Sequence, residues 1–277
     1  MTPRDEAVEI PLDGRRLPGT LVSPATIMPG LLFVQGWGSG QEAYLPRARE
    51  IAALGCLCLT FEPRGVARDD PRHETVSRED NLRDALAAYD LLAGQRAVDR
   101  GAIAVVGSSY GGYLAAILSS LRPVRWLALR VPALYKDEDW AAPKRRLDRG
   151  GLAAYRRRPV GPGENRALGA CAAFRGDVLV VESERDDVVP HPTIASYLAA
   201  FPQARSLTHR VIAGADHGLA EEPWQRAYTA LLVGWASEMV LGAREGGAAT
   251  DAPPPGADRP RPAEPGEEVL DEAAGPA

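Results

Sequence analysis

Short apolar runs alternate along the chain with longer stretches in which apolar residues recur at helical spacing. Continuous apolar runs of about 4–8 residues are typical of strands buried on both faces of a parallel sheet. The predicted strands span residues 7–11, 16–22, 31–35, 56–61, 102–106, 126–131, 178–181 and 207–212, and the predicted helices span residues 41–54, 77–93, 110–121, 193–201 and 223–241. This β-α-β-α order predicts an α/β fold, with a mostly parallel sheet of about eight strands and helices on both faces.

Turn and capping residues support these boundaries. Asp13-Gly14 separates the first two strands and indicates a hairpin. Gly55 follows the first helix and is suited to cap its C-terminus. Ser77 begins the second helix with Asp80 three residues later, a pattern typical of a capped N-terminus.

The segment between residues 131 and 178 interrupts the alternation. Loops longer than about 15 residues without structure of their own are uncommon in compact domains, so we expect short helices that form a lid, about residues 133–176, over the carboxyl edge of the sheet. Between Ala141 and Gly176 this segment holds nine basic residues and two acidic ones. A basic lid would attract an anionic substrate. The alternative is a solvated basic surface that faces the acidic residues 137–139.

Composition changes the picture mainly at the C-terminus. From Ala243 onward the chain is rich in Gly, Ala, Pro and acidic residues, so we predict one folded domain over residues 1–242 and a disordered acidic tail over residues 243–277. The tail holds eight of the 37 acidic residues and three of the 32 basic ones. The remainder is formally neutral, so neither nucleic acid nor an anionic membrane surface is expected as a partner.

The three cysteines, Cys56, Cys58 and Cys171, form neither a disulfide framework nor the paired spacing of a zinc site. A reducing compartment is the simplest interpretation. The first residues lack the apolar core of a signal peptide, and no apolar run approaches the ~20 residues that a membrane span needs. We therefore predict a cytoplasmic protein without a cofactor or a metal ion.

The strongest chemical signal is Gly107-Ser108-Ser109-Tyr110-Gly111-Gly112, which directly follows a predicted strand and directly precedes an apolar helix. A serine on such a sharp turn exposes its hydroxyl, and glycines are needed two residues before and after it because the turn crowds side chains. The helix also aims its first amides at the place where an oxyanion would form. The pattern predicts Ser109 as a nucleophile.

A serine hydroxyl needs a base to act at neutral pH. Of the four histidines, His217 follows the last predicted strand, where ligands meet this type of sheet, and we predict it to be the base. His209 lies within a strand, His73 lies in a polar loop and His191 follows Val189-Pro190. For these three a structural or solvated role is the better interpretation.

The base requires a carboxylate that holds its tautomer. Asp186 and Asp187 follow the strand 178–181 and are both candidates, and neighbouring side chains point in different directions. The order serine, acid, histidine is the order of the α/β-hydrolase fold. The second oxyanion donor is expected from the loop 35–40, and we predict the backbone amides of Trp37 and Tyr110 as the two donors.

These motifs identify a resemblance to the α/β-hydrolase superfamily over about residues 7–241. Residues 107–113 resemble the nucleophile elbow of its dienelactone-hydrolase and prolyl-oligopeptidase-like branches, and residues 214–218 resemble their histidine loop. Residues 183–190 resemble their G-x-x-D-x-x-V-P acid loop, which implies that Asp186 is the catalytic acid. Residues 62–65 resemble their D-x-R-G loop.

Two positions depart from the family pattern. Gln35 stands where the oxyanion loop usually begins with histidine, so the anchoring of that loop is expected to differ, and Ser183 replaces a glycine. We expect no counterpart of the large propeller of a prolyl oligopeptidase, because these 277 residues leave no room for one.

The resemblance implies a serine hydrolase that acts through an acyl-enzyme on Ser109, with a small-molecule ester or amide as its substrate. Small carboxylic esters are the leading substrate class. Cleavage of amides or short peptides is the alternative, and a non-catalytic binding protein is a third possibility because a fold does not fix a function. No sequence feature indicates the oligomeric state.

Overall fold

The computed structural model describes residues 4–12, 14–23 and 28–250, and their side chains except those of Arg4, Ser23 and residues 243–250. The strands are β1 (Arg4–Leu12), β2 (Arg15–Ser23), β3 (Met28–Val34), β4 (Leu57–Phe61), β5 (Val98–Ser108), β6 (Trp126–Arg130), β7 (Asp177–Ser183) and β8 (Ser206–Ile212). They form an eight-stranded sheet in the order β1-β2-β4-β3-β5-β6-β7-β8. The pairs β1–β2 and β2–β4 are antiparallel and the other pairs are parallel, which confirms the predicted fold class.

The helices are α1 (Leu45–Ala53), α2 (Arg78–Ala93), α3 (Tyr110–Leu118), α4 (Arg149–Arg156), α5 (Arg166–Ala173), α6 (His191–Ala199) and α7 (Glu222–Thr250). They cover both faces of the sheet, because one apolar cluster joins α2, α3, α5 and α6 to it and a second joins α1 and α7. Every residue of α3 is buried, as expected for a helix that is apolar on all sides. The nucleophile motif therefore begins a helix in the centre of the fold.

Several predicted boundaries shift for local reasons. The predicted helix 41–54 divides into a 3₁₀ turn, Gln41–Ala43, and α1, because Pro46 has no amide hydrogen and is tolerated only in the first helical turn. Ser77 and Asp80 form the expected reciprocal cap of α2. The last helix continues to Thr250, past the predicted boundary at residue 242, through the favourable helix formers Ala243, Arg244 and Glu245.

The remainder of the predicted tail, residues 251–277, lies outside the described residues. No helix in the described ranges is long and apolar enough to cross a bilayer. The cytoplasmic location stays a prediction.

The segment between β6 and β7 contains a 3₁₀ turn, Lys144–Arg146, followed by α4 and α5. Short helices were expected there, but α5 packs against α3 with four buried residues and belongs to the helical layer of the domain. The part before α5 is anchored differently, by a β-bridge between Ser77 and Pro143 and by a bond from the Lys144 amide to the Val76 carbonyl. Residues 133–135 are buried in the core. The lid is therefore shorter than the predicted segment 133–176 and spans residues 136–165.

Candidate active site

The three predicted catalytic residues follow strands that end at one edge of the sheet. Strands β5, β7 and β8 are parallel, so Ser109, Asp186 and His217 all leave the sheet at its carboxyl edge. The loop after β3 joins them, because β3 pairs with β5. The chain order of the strands reverses between β3 and β5, and such a reversal is where ligands bind in open α/β sheets.

The structure brings the three side chains into hydrogen-bonding contact. His217 Nε2 lies 2.9 Å from Ser109 Oγ, and His217 Nδ1 lies 2.6 Å from Asp186 Oδ2. The Asp186 side chain is 2% exposed and that of His217 is 21% exposed. Asp187 is exposed and has no hydrogen-bond partner in the described part of the chain. Of the two acids that the sequence left open, Asp186 is the one that faces the histidine.

The turn that carries Ser109 depends on its flanking glycines. Ser109 has φ +52° and ψ −113°, a conformation that a non-glycine residue rarely adopts. A Cβ atom at Gly111 would lie 2.0 Å from the Val34 carbonyl oxygen, and one at Gly107 would lie 2.5 Å from the Gly111 oxygen. The glycine positions in the motif are therefore steric requirements of the turn.

The glycine-rich loop after β3 contacts this turn. A Cβ atom at Gly36 would lie 3.6 Å from Ser109 Cβ, and the rings of Trp37 and Tyr110 meet edge to face with centroids 5.4 Å apart. The backbone amides of Trp37 and Tyr110 have no acceptor among the described residues. Tyr110 directly follows Ser109, and Trp37 directly follows Gly36, which contacts Ser109. Both residues thus carry an unused amide close in the chain to a point of contact with the nucleophile turn.

The loop that begins at Gln35 is anchored mainly through its backbone amides. The Gln35 side chain is buried, and neither atom of its amide has a hydrogen-bond partner within the described ranges. The loop is held instead by bonds from the Gly36 amide to Tyr44 Oη and from the Gly38 amide to the Val66 carbonyl, each 2.9 Å long. Backbone contacts hold the loop without the residue-35 side chain.

Residues 62–76, which follow β4, support the Trp37 side of the site. His73 stacks against Trp37 with ring centroids 4.5 Å apart, and its Nδ1 lies 2.9 Å from the Gly65 carbonyl oxygen. Asp70 accepts hydrogen bonds from the Gly65 amide and from Arg72. Burial opposes ionisation of Asp70, but these bonds outweigh it and lower its pKa to about 2. The His73 ring is thus held between Trp37 and the Gly65 carbonyl oxygen, and its structural role stays a prediction.

A second hydrogen-bond network reaches the Tyr110 hydroxyl. Arg64 and Asp84 form a buried ion pair with Arg64 Nε 2.7 Å from Asp84 Oδ1. Asn81 donates to the Arg64 carbonyl and accepts a hydrogen bond from Tyr110 Oη. The D-x-R-G-like loop is thus linked to the first residue of α3.

Sequence reasoning missed Arg130, the last residue of β6. It is 8% exposed, and its guanidinium donates a 2.7 Å hydrogen bond to the His217 carbonyl oxygen. The available signal was a basic residue at the carboxyl end of an apolar strand. Arg130 joins the strand next to the nucleophile to the loop that carries the histidine.

Two cavities meet at Ser109 and His217. The lid cavity, of about 360 Å³, is bounded by four cationic side chains (Lys144, Arg145, Arg149 and Arg156) and by aromatic and aliphatic groups. The Tyr228 cavity, of about 170 Å³, includes Arg47 and Arg130. No acidic residue lines either cavity in the described part of the protein.

Lys144 and Arg156 lower the pKa of Tyr135, which also lines the lid cavity. Burial raises the pKa of the Tyr135 phenol, but the two cations outweigh this effect and the pKa lies below its usual value. Burial also lowers the pKa of Lys144. Positive charge in this cavity is therefore incompletely shielded by solvent.

The remaining histidines lie elsewhere. His191 Nδ1 and His209 Nε2 both contact Glu182, at 2.7 and 3.1 Å. The three cysteines are buried, as expected for small apolar residues, and none of them forms a disulfide among the described residues. Within the described ranges, no group of three His, Cys, Asp or Glu side chains is arranged to hold a metal ion.

Comparison with known proteins gives matches of three kinds. The model of the prolyl oligopeptidase family matches residues 51–242. An uncharacterized protein of Mycobacterium tuberculosis (strain H37Rv) is 29% identical over 221 residues, which cover 77% of this chain and 72% of that protein. Among solved structures, dienelactone hydrolase from Anabaena variabilis has a TM-score of 0.61 at 18% identity, covering 85% of this chain and 97% of that one.

Two further structures share the fold. Est1E from Butyrivibrio proteoclasticus with ferulic acid bound has a TM-score of 0.64 at 17% identity, over 85% of this chain and 98% of that one. Pyrococcus horikoshii acylaminoacyl peptidase has a TM-score of 0.65 at 15% identity, over 87% of this chain but 42% of that one. The family match covers more than half of the chain, and the fold neighbours agree with it. The chain belongs to the prolyl oligopeptidase family within the α/β-hydrolase fold, and it is a serine hydrolase.

Proposed function

We propose that the protein hydrolyses small carboxylic esters through an acyl-enzyme on Ser109, with His217 as general base and Asp186 as the residue that orients it. One observation carries this proposal: His217 lies within hydrogen-bonding distance of Ser109 on one ring nitrogen and of a buried carboxylate on the other. A serine on a strained turn, an imidazole and a carboxylate in this arrangement are the parts of nucleophilic acyl transfer.

In the first half-reaction Ser109 Oγ attacks the ester carbonyl while His217 Nε2 takes its proton. The tetrahedral intermediate collapses when the same imidazolium donates that proton to the leaving alcohol, which leaves an acyl group on Ser109. In the second half-reaction His217 Nε2 takes a proton from water, whose oxygen attacks the acyl carbonyl. The tetrahedral intermediate collapses when the imidazolium returns that proton to Ser109 Oγ, which breaks the bond to the acyl group and releases the acid. Asp186 accepts the Nδ1 hydrogen bond throughout and stabilises the imidazolium.

The backbone amides of Trp37 and Tyr110 are proposed to bind the oxyanion. Their support is their position beside Ser109 and their lack of another acceptor among the described residues. Such a donor contributes roughly 10²–10³ in rate, because it meets the negative charge only where that charge develops.

Charge favours esters over an aminopeptidase activity. An aminopeptidase must place the ammonium group of its substrate near the nucleophile, and this requires a compensating acid. The two cavities at Ser109 carry cations, and no acidic side chain lines them in the described ranges. An α-ammonium group would be repelled from both.

A labelling experiment tests the proposed roles. A fluorophosphonate should label the wild type, and Ser109→Ala should abolish labelling while leaving the fold unchanged by circular dichroism. Turnover of p-nitrophenyl esters of graded chain length should exceed that of aminoacyl p-nitroanilides. Equal or faster turnover of the anilides would favour the amidase alternative, and a folded wild type that neither labels nor turns over any substrate would favour a binding protein.

A further inference from the structure

We infer that the lid cavity binds a carboxylate of the substrate and that Lys144 is the residue that selects it. The preferred ester would then carry a carboxylate in addition to its scissile bond. This inference rests on the proposed function of the same site, since the anion is held in position for attack by Ser109.

The position of the cavity ties its occupant to the reaction. Ser109 and His217 form part of its wall, and Trp37 forms another part. A substrate group bound in this cavity can therefore belong to the same small molecule as the ester that Ser109 attacks. The cavity also has apolar walls, from Leu147, Leu152 and others, that would contact the carbon chain between the carboxylate and the ester.

The charge of the cavity is poorly balanced. Arg145 pairs with Glu74 at 3.1 Å, but among the described residues Lys144, Arg149 and Arg156 have no carboxylate within 4.0 Å. Arg156 is 8% exposed, and its guanidinium is bound by the carbonyl oxygens of Leu134 and Val188. Lys144 and Arg156 share the Tyr135 side chain as a hydrogen-bond partner, but they have no carboxylate. A buried cation without an acidic counter-ion is unfavourable, so an incoming anion would gain from the charge that the fold leaves unpaired.

Lys144 is the best-placed of these cations. Its ammonium nitrogen lies 3.9 Å from the centre of the Trp37 ring and 5.5 Å from that of Tyr135. Its backbone amide bonds to the Val76 carbonyl, next to the β-bridge between Ser77 and Pro143. Main-chain contacts thus fix Lys144, and aromatic faces hold its charge beside the proposed oxyanion loop.

The alternative interpretation, a solvated basic surface, would explain the exposed cations of the lid but not the buried ones. Arg145 and Arg149 are exposed, as a solvated lid requires. Arg156 is buried, and Lys144 is half-buried in the wall of the same cavity. Burial of uncompensated charge next to a nucleophile is what a binding site for an anion requires.

Matched ester pairs test the inference. Mono-p-nitrophenyl adipate, with its free carboxylate on the acyl side, is compared with its methyl ester. 4-Acetoxybenzoate, with its carboxylate on the leaving-group side, is compared with methyl 4-acetoxybenzoate. Each kcat/KM is divided by the rate constant for uncatalysed hydrolysis, so that intrinsic reactivity cancels. We expect the wild type to prefer the anionic member of at least one pair about tenfold or more.

The variants separate a local contact from the general charge of the lid. Lys144→Met keeps the length and packing of the side chain, and it should lower the anionic-to-neutral ratio of that pair roughly 10- to 100-fold, the effect of losing a hydrogen bond to a charged group. Arg146→Met removes the same charge from an exposed position two residues away, and it should change the ratio less than about twofold. If Lys144→Met fails to fold, Arg149→Gln should lower the ratio about threefold, as for an exposed ion pair.

Three outcomes are distinguishable. The expected drop in Lys144→Met with little change in Arg146→Met supports the inference. Turnover of all four esters without preference for either anion, or equal effects of both substitutions, overturns it while the proposed function stands. Absence of turnover of every ester, together with absence of fluorophosphonate labelling, rejects the proposed function itself.

Discussion

Asparagine at position 186 would change the charge of this side chain while nearly preserving its shape. Asp186 Oδ1 accepts hydrogen bonds from the amides of Val188 and Val189, at 2.8 and 2.7 Å, whereas Oδ2 faces His217 Nδ1 at 2.6 Å. The two amides require an oxygen, so the new NH2 group must point at the histidine. His217 Nδ1 would then have to accept, its hydrogen would move to Nε2, and Nε2 could no longer take the proton of Ser109.

The expected loss in kcat for Asp186→Asn is about 10²–10⁴-fold, or roughly 3–5 kcal/mol of transition-state free energy. The Asp186 side chain is 2% exposed, so water cannot replace the missing carboxylate. The folded state should lose only about 1 kcal/mol, because both backbone hydrogen bonds survive and one charged bond is weakened.

The assay is the turnover of p-nitrophenyl butyrate by the two variants Asp186→Asn and Asp187→Asn, with thermal unfolding as the control for folding. Asp187 is exposed and lacks a hydrogen-bond partner in the described structure, so its variant should stay within about twofold of the wild type. A folded Asp186→Asn enzyme that keeps more than a tenth of the wild-type kcat would refute the tautomer argument. The reverse ranking of the two variants would show that the acid is Asp187.

Three further substitutions test the surroundings of the site. Gly111→Ala should prevent folding, because its Cβ would lie 2.0 Å from the Val34 carbonyl oxygen. The measurement is the yield of soluble protein with a native circular dichroism spectrum, and a folded variant would refute the steric argument. Arg130→Met should slow fluorophosphonate labelling about tenfold through loss of its bond to the His217 carbonyl, and an unchanged rate in a folded variant would contradict this role. Asp70→Asn should lower the free energy of unfolding by about 1–2 kcal/mol at pH 7, allowing for partial exposure of Asp70. The pKa of Asp70 is about 2 in the folded protein and 3.8 normally, so the carboxylate stabilises the fold above pH 4 and loses this effect as the pH falls to about 2. Urea unfolding of the wild type and of Asp70→Asn measures the difference in their free energies of unfolding. The same difference at pH 7 and at pH 3 would contradict the argument.

The sheet was predictable because each buried parallel strand is a continuous apolar run bounded by glycine or polar residues. The run before Ser109, for example, predicted the end of β5, where strand and helix meet. The role of α5 was not predictable in this way. Its apolar residues resemble those of any short helix, and its packing against α3 depends on a contact between segments far apart in the chain.

In the candidate site, too, the features encoded by local sequence were predictable and the contacts between distant segments were not. Ser109 and His217 lie in local motifs, and their side chains meet as those motifs predict. Asp186 and Asp187 could not be separated by the residues alone, since both follow the same strand, and the family resemblance made the choice. Arg130 and Lys144 act across the fold: Arg130 meets the His217 carbonyl 87 residues away, and no local pattern encodes such a contact.

The buried arginines of the domain differ in how they are bound. Buried Arg64 is neutralised by Asp84, whereas Arg130 and Arg156 are held by backbone carbonyl oxygens. Carbonyl dipoles fix a guanidinium without cancelling its charge, so positive potential remains at Ser109. The developing oxyanion of any ester would gain from that potential, and we therefore expect Lys144→Met to slow neutral esters as well. For this reason the ratio of anionic to neutral turnover, rather than either rate alone, isolates the contact between Lys144 and a substrate carboxylate.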